Sequence, residues 1–102
     1  MVKKCKLVIV WDKQAYYSLQ QVYDYIKEDS PVNAEKVRKG ILRITDSLAT
    51  HPEKYPPDKY RTKNMGSYRA FEKYSYRVTY RITHKEIIIL RVRHVKQEPK
   101  EY

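Results

Sequence analysis

Arg69, Arg77, Arg91, Arg93 and His94 are the residues of this chain whose types and spacing could do chemistry. They fall in the stretch Tyr68 to His94, with Tyr76 and Tyr80 among them and Tyr102 nearby in sequence. Cleavage of RNA by its own 2′-hydroxyl needs a base for that hydroxyl, cations for the phosphorane charge and an acid for the leaving 5′-oxygen. Arginine suits the phosphate, histidine or tyrosine the proton transfers, and tyrosine the stacking of an unpaired base. Each arginine taken alone is read more simply as decoration of an exposed strand face. Taken as a group, the two readings stand about level.

Other chemistries find little here. His51, His84 and His94 are scattered, and none has a His or Cys partner at ligand spacing, so no metal site and no cofactor are expected. His84 reads as a solvated turn residue, and His51 as a residue near a helix C-terminus. There is no P-loop or dinucleotide fingerprint, and the chain holds 2 glycines in all. Ser67 and Cys5 lack a recognisable nucleophile context.

The elements that must position the cations are legible from periodicity. Tyr76, Val78, Tyr80 and Ile82 alternate with Arg77, Thr79, Arg81 and Thr83, the period-two pattern of a half-buried strand with a cationic outer face. After His84-Lys85, Ile87-Ile88-Ile89-Leu90 is apolar on both faces and reads as the central strand. Tyr68 to Phe71 supplies a strand before them, with Glu72-Lys73 beginning the turn, so the three form an antiparallel meander. Such a sheet can gather the arginines and His94 into one concave patch.

Upstream, Lys6 to Trp11 reads as a buried first strand. Asp12 offers a helix N-cap, and Ala15, Leu19, Val22 and Ile26 then recur at helical spacing. Ser30 and Pro31 cap and open a second helix carrying Ala34, Val37, Ile41, Ile44 and Leu48, which runs to about Thr50 before His51-Pro52. Gly40, in mid-helix, would allow close approach of the first helix. The two stripes should be buried against Val78, Ile82, Ile87 and Ile89. Glu53 to Asn64 is a long irregular stretch rich in Pro, Tyr and cations. There Lys59, Arg61 and Lys63 either extend the basic surface toward RNA or sit in a solvated linker stiffened by Pro56-Pro57. Beyond His94 the tail lacks periodicity, and Pro99 forbids a central strand. The order β-α-α-β-β-β makes an α+β fold: a small antiparallel sheet with an N-terminal helical hairpin packed on it.

Composition bounds the partner. At 102 residues the chain is expected to form one domain, and 22 Lys+Arg against 12 Asp+Glu give a net charge of +10. That excess favours a polyanion: nucleic acid, an anionic membrane or an acidic protein. With 11 Tyr against one Trp and one Phe, the aromatics suit half-buried sheets and wet interfaces. The single cysteine precludes an intrachain disulfide, and no segment reads as a signal peptide or membrane span, so the expected location is the cytoplasm.

The run Tyr76 to Ile82 (YRVTYRI) and the strand Ile89 to His94 (ILRVRH), after a short strand and a helical hairpin, resemble the RelE/ParE superfamily of type II toxins over nearly the whole chain. The resemblance implies a RelE-like fold and a co-encoded, usually acidic antitoxin. It also implies one of two targets. Ribonuclease members cut mRNA on the ribosome: Arg77 matches the arginine of their YR motif, Arg69 a cation on the preceding strand, and His94 a strand-end histidine. Tyr102 loosely resembles their C-terminal catalytic tyrosine, and Arg91 and Arg93 would join Lys59, Arg61 and Lys63 in holding the RNA. Val95, Lys96 and Gln97 stand where those enzymes commonly carry a further Arg or Tyr. ParE-type members instead inhibit DNA gyrase and need no catalytic set. Of the two targets the resemblance implies, a ribosome-dependent mRNA endonuclease is the expected one, with a gyrase inhibitor as the alternative.

Overall fold

The structure, a computed structural model, describes residues 7–59 and 66–97. Strand β1 (Val8–Trp11) leads into helices α1 (Lys13–Lys27) and α2 (Pro31–Ser47). Strands β2 (Tyr68–Lys73), β3 (Tyr76–Ile82) and β4 (Glu86–His94) follow, and a 3-10 turn spans Val95–Gln97. Both helices start where capping chemistry places them. The Asp12 carboxylate accepts the Gln14 N–H at 3.3 Å, and the Ser30 hydroxyl accepts the Asn33 N–H at 3.2 Å with Pro31 in the first turn.

The sheet order is β1-β4-β3-β2. The meander β2-β3-β4 is antiparallel as its sequence implies, and β4 is central. β1 joins β4 in parallel, Val8 opposite Glu86 through Trp11 opposite Ile89, so the sheet is mixed. β1 is an edge strand with Val8 60% exposed, not the buried strand its apolar run suggests. An apolar β-branched run marks a strand without saying which of its edges is paired. Ile9 and Trp11 still pack on the core, one face of β1 at a time.

Ala15, Leu19, Val37, Ile41 and Leu48 are buried with Val78, Ile87 and Ile89, and Val22, Ile26, Ile44 and Ile82 flank them half-buried. Each fully buried aliphatic side chain contributes about 1.5–3 kcal/mol. The helical hairpin therefore lies on one face of the sheet, α1 against β4 and α2 reaching β2. β4 carries one residue more than its partner, because Thr79 pairs with Arg91 and Tyr80 with Ile89; Leu90 is the bulge.

The β2–β3 connection is a two-residue turn in which Tyr74 (φ 53) and Ser75 (φ 67) are both left-handed. Such backbone costs on the order of 1 kcal/mol or more for a non-glycine residue. Its offset is the Tyr74 ring, which lies against Gly40 of α2; a methyl group at residue 40 would sit 2.6 Å from Tyr74 Cε2. Gly40 thus admits the hairpin tip rather than the first helix. The β3–β4 turn leaves His84 exposed, as expected.

Candidate functional site

Register decides which cations can work together. Arg77 pairs with Arg93, Thr79 with Arg91, and Tyr76 with His94. Because side chains alternate across a strand, Arg77, Arg91 and Arg93 share the face away from the helices, while Tyr76 and His94 share the helix side with Val78 and Val92. Arg69, opposite Tyr80, also belongs to the helix side, at the far end of the sheet. The single concave patch of cations expected from the sequence is therefore split between two faces.

Arg77 is 7% exposed, although strand alternation alone assigns it to an open polar face. Its Nη2 donates to Asp58 Oδ1 at 2.7 Å and its Nη1 to Glu72 Oε2 at 2.9 Å. Asp58, 2% exposed, is itself fixed by its backbone N–H donating to the Tyr68 carbonyl at 2.8 Å. Burial pulls the Arg77 guanidinium down, but the hydrogen bonds and charges of Asp58 and Glu72 outweigh it and hold the group above its ordinary value. Removing one partner of such a buried pair typically costs about 3–5 kcal/mol.

Arg69 does similar work on the other face. Its Nε donates to the Gly66 carbonyl at 2.9 Å and its Nη1 to the Tyr55 carbonyl at 2.7 Å, with Glu53 at 3.8 Å. Gly66 sits at φ +100, a conformation that suits glycine. The Tyr80 hydroxyl donates to the Pro52 carbonyl at 2.9 Å; burial pushes its pKa up to about 12 and keeps it a donor. Tyr55 packs on Phe71, ring centroids 5.2 Å apart, and Pro57 bridges to Arg69. The segment from Pro52 to Asp58 is thus wrapped around the β2 edge and clamped by Arg69, Tyr80 and Arg77. Lys59, exposed just beyond Asp58, lines a cavity of about 500 Å³ between this segment and β2.

A larger groove, about 840 Å³, opens at the other end of the sheet. Ser18, Gln21, Val22 and Tyr25 of α1 form one wall, and Tyr76, Val92, Arg93 and His94 the other. The rings of Tyr76 and His94 meet edge to face, centroids 5.3 Å apart at 85°. His94 Nδ1 accepts the Lys96 backbone N–H at 3.2 Å, so the neutral ring carries its proton on Nε2, where it can donate. Burial, with the neighbouring Tyr25, raises Tyr76 and keeps that phenol protonated. The groove offers neutral donors and a cationic rim.

Of the residues singled out in the sequence, His94 and Arg93 come together at this groove, with Arg91 half-buried on the outer face. Arg77 and Arg69 are engaged by the loop, and Arg61, Lys63 and Tyr102 lie outside the described residues. Among the described residues no group of three or more His, Cys, Asp or Glu could hold a metal. Asp58 and Glu72 were missed by sequence reasoning. Glu72 was within reach: a two-residue turn at Tyr74-Ser75 sets it opposite Arg77. Asp58 carries no local signal.

The family model described as the ParE toxin of the type II toxin–antitoxin system, parDE, matches residues 9–99. Among solved structures, the chromosomal ParDE system from P. aeruginosa superimposes with a TM-score of 0.67 at 23% identity, covering 87% of this chain and 96% of that one. The RelBE2 toxin–antitoxin complex from Mycobacterium tuberculosis gives 0.62 at 19% identity, covering 90% and 94%. The YoeB dimer from Staphylococcus aureus gives 0.58 at 18% identity, covering 87% and 97%. No curated protein sequence matches. These structures share the fold of a two-helix hairpin on a four-stranded sheet, and the family match runs through nearly all of the clamp and the groove. The chain belongs to the ParE toxins of type II toxin–antitoxin systems, within the RelE/ParE superfamily.

Proposed function

We propose that this toxin acts by binding DNA gyrase rather than by cutting mRNA, and that an acidic antitoxin neutralises it. The observation that carries the reading is the state of Arg77. A phosphate-stabilising arginine must present free donors to the transition state, and this one spends two of its nitrogens on Asp58 and Glu72 in a buried site. Strand alternation also points it to the face opposite His94. Binding needs no such convergence. A broad surface with exposed tyrosines and cations around a groove meets the requirements of a protein interface.

The ribonuclease reading keeps one specific support. His94 holds its proton on Nε2 at the groove, beside exposed Arg93, where an acid for a leaving 5′-oxygen would stand. Both readings are tested together by adding the purified toxin to a gyrase supercoiling assay and, in parallel, to translating ribosomes followed by mapping of mRNA ends. Loss of supercoiling with intact message supports the gyrase reading. Cut message with normal supercoiling overturns it and makes His94 and Arg93 the first residues to substitute.

A further inference from the structure

The contact between Gly40 and Tyr74 joins two elements into a surface that neither the clamp nor the groove uses. Lys36, Lys39 and Arg43 follow one another at helical spacing along the exposed side of α2, with Gly40 in their midst, one turn from Lys36 and from Arg43. Into the notch at Gly40 the hairpin tip places Tyr74, bringing Lys73 from β2 to the same spot. The ammonium of Lys36 lies 5.6 Å from the Tyr74 ring centroid and that of Lys73 4.7 Å. One aromatic ring therefore gathers two cations from different elements, a local concentration of positive charge that suits an anion. The nearest acid on the helix, Glu35, is occupied by Arg38 at 2.6 Å and reaches Lys39 only at 3.9 Å. Among the described residues no carboxylate comes within ion-pair distance of Lys36, Lys73 or Arg43.

The two-residue hairpin, with Tyr74 and Ser75 both left-handed, holds the Tyr74 ring on Gly40 and so fixes where the two lysines meet. From Lys36 to Arg43 the helix advances roughly 10 Å, about three nucleotide steps of a polynucleotide strand at 3.4 Å each. We infer that the face formed by α2 and the β2–β3 turn, centred on the Gly40–Tyr74 contact, binds the phosphodiester backbone of a nucleic acid. Lys36 and Lys73, on either element beside the Tyr74 ring, each meet a phosphate, while Lys39 and Arg43 follow the strand. The contact is to backbone and does not select sequence. It stands whichever enzyme the toxin inhibits, since gyrase works on DNA and the ribosome is largely RNA.

The test is binding of fluorescein-labelled duplex DNA and of an RNA hairpin, read by anisotropy over a range of salt. Three variants are compared with the wild type: Lys36→Gln with Lys73→Gln, a control pair Lys13→Gln with Lys27→Gln on α1, and Gly40→Ala. Lys13, Lys27 and Lys36 are exposed and Lys73 half-buried, and glutamine keeps most of each side chain's bulk. The first pair should lower the slope of log K against log salt by about 1.8, at roughly 0.9 for each phosphate contact. The control pair, which removes the same charge, should lower it by less than half as much. Gly40→Ala displaces the Tyr74 ring without changing charge and should weaken binding too; should it fail to fold, the lysine pair still decides. An effect on DNA alone, or on RNA alone, supports the assignment and names the polymer. Equal losses from both lysine pairs would reduce the patch to net charge and overturn it. Unchanged slopes accompanied by lost antitoxin affinity would make the face a protein-docking surface and overturn it as well.

Discussion

Arg77 shows how one side chain can mislead in a sequence and inform in a structure. On an alternating strand it occupies a polar position, so its truncation looks harmless. In the fold it is the buried cation that fastens Asp58, and with it the loop, to the sheet. Arg77→Ala should therefore destabilise the protein by about 3–5 kcal/mol in urea unfolding. Arg77→Lys should recover little, because one ammonium cannot serve Asp58 and Glu72 in a fork. A change below about 1 kcal/mol would show the clamp to be idle. Tyr80 gives a second check at this scale. Its phenol has a folded pKa of about 12 against 10.0 for the ordinary group, so the folded state holds its proton more tightly. The contribution is complete below pH 10 and is lost as pH rises toward 12, at about 1.4 kcal/mol per unit. From pH 9.5 to 11.5 the wild type should lose more stability than Tyr80→Phe, and parallel losses would contradict the assignment. Neither role could be read in the sequence. The partners, Asp58 and Pro52, lie 19 and 28 residues away and carry no periodic signal.

At the scale of elements, period and capping carried most of the fold. Alternation from Tyr76 to Ile82 placed β3, the double-faced run at Ile87 placed β4 in the centre, and Asp12, Ser30 and Pro31 marked the helix starts. What periodicity cannot carry is pairing. β1 has the same apolar character whether it is central or at an edge, and its parallel register with β4 depends on the path of the helical hairpin. The cationic patch failed for the same reason: a cation's face is fixed by register, and a bulge at Leu90 lies between Arg91 and Ile89. The Tyr74-Ser75 turn was equally hidden, since neither residue advertises a left-handed backbone. Ser75→Gly should relieve that strain and stabilise the protein by about 0.5–1 kcal/mol, measured as a shift in the urea midpoint. A loss of stability would show that the turn depends on the serine side chain.

For the whole molecule, the net charge of +10 and the division of its surface set how it meets partners. The antitoxin's association rate should fall steeply from low to high salt, because steering between exposed charges is screened beyond about 10 Å at 0.1 M. Dissociation should change much less if apolar and aromatic anchors hold the complex, as they do at most interfaces. A salt-independent association rate would remove the steering role. The central claim is that the arginine of the YR motif holds the fold and does not touch a substrate. It is tested most directly by rebuilding the clamp without charge, as Arg77→Met with Asp58→Leu, since apolar replacements of a buried ion pair often preserve or raise stability. The measurement is colony formation on induction of this variant, alongside near-UV circular dichroism of the purified protein. Killing equal to the wild type by a natively folded variant is the expected result. A variant that folds natively, binds its antitoxin normally and no longer kills would contradict it and return Arg77 to a catalytic role.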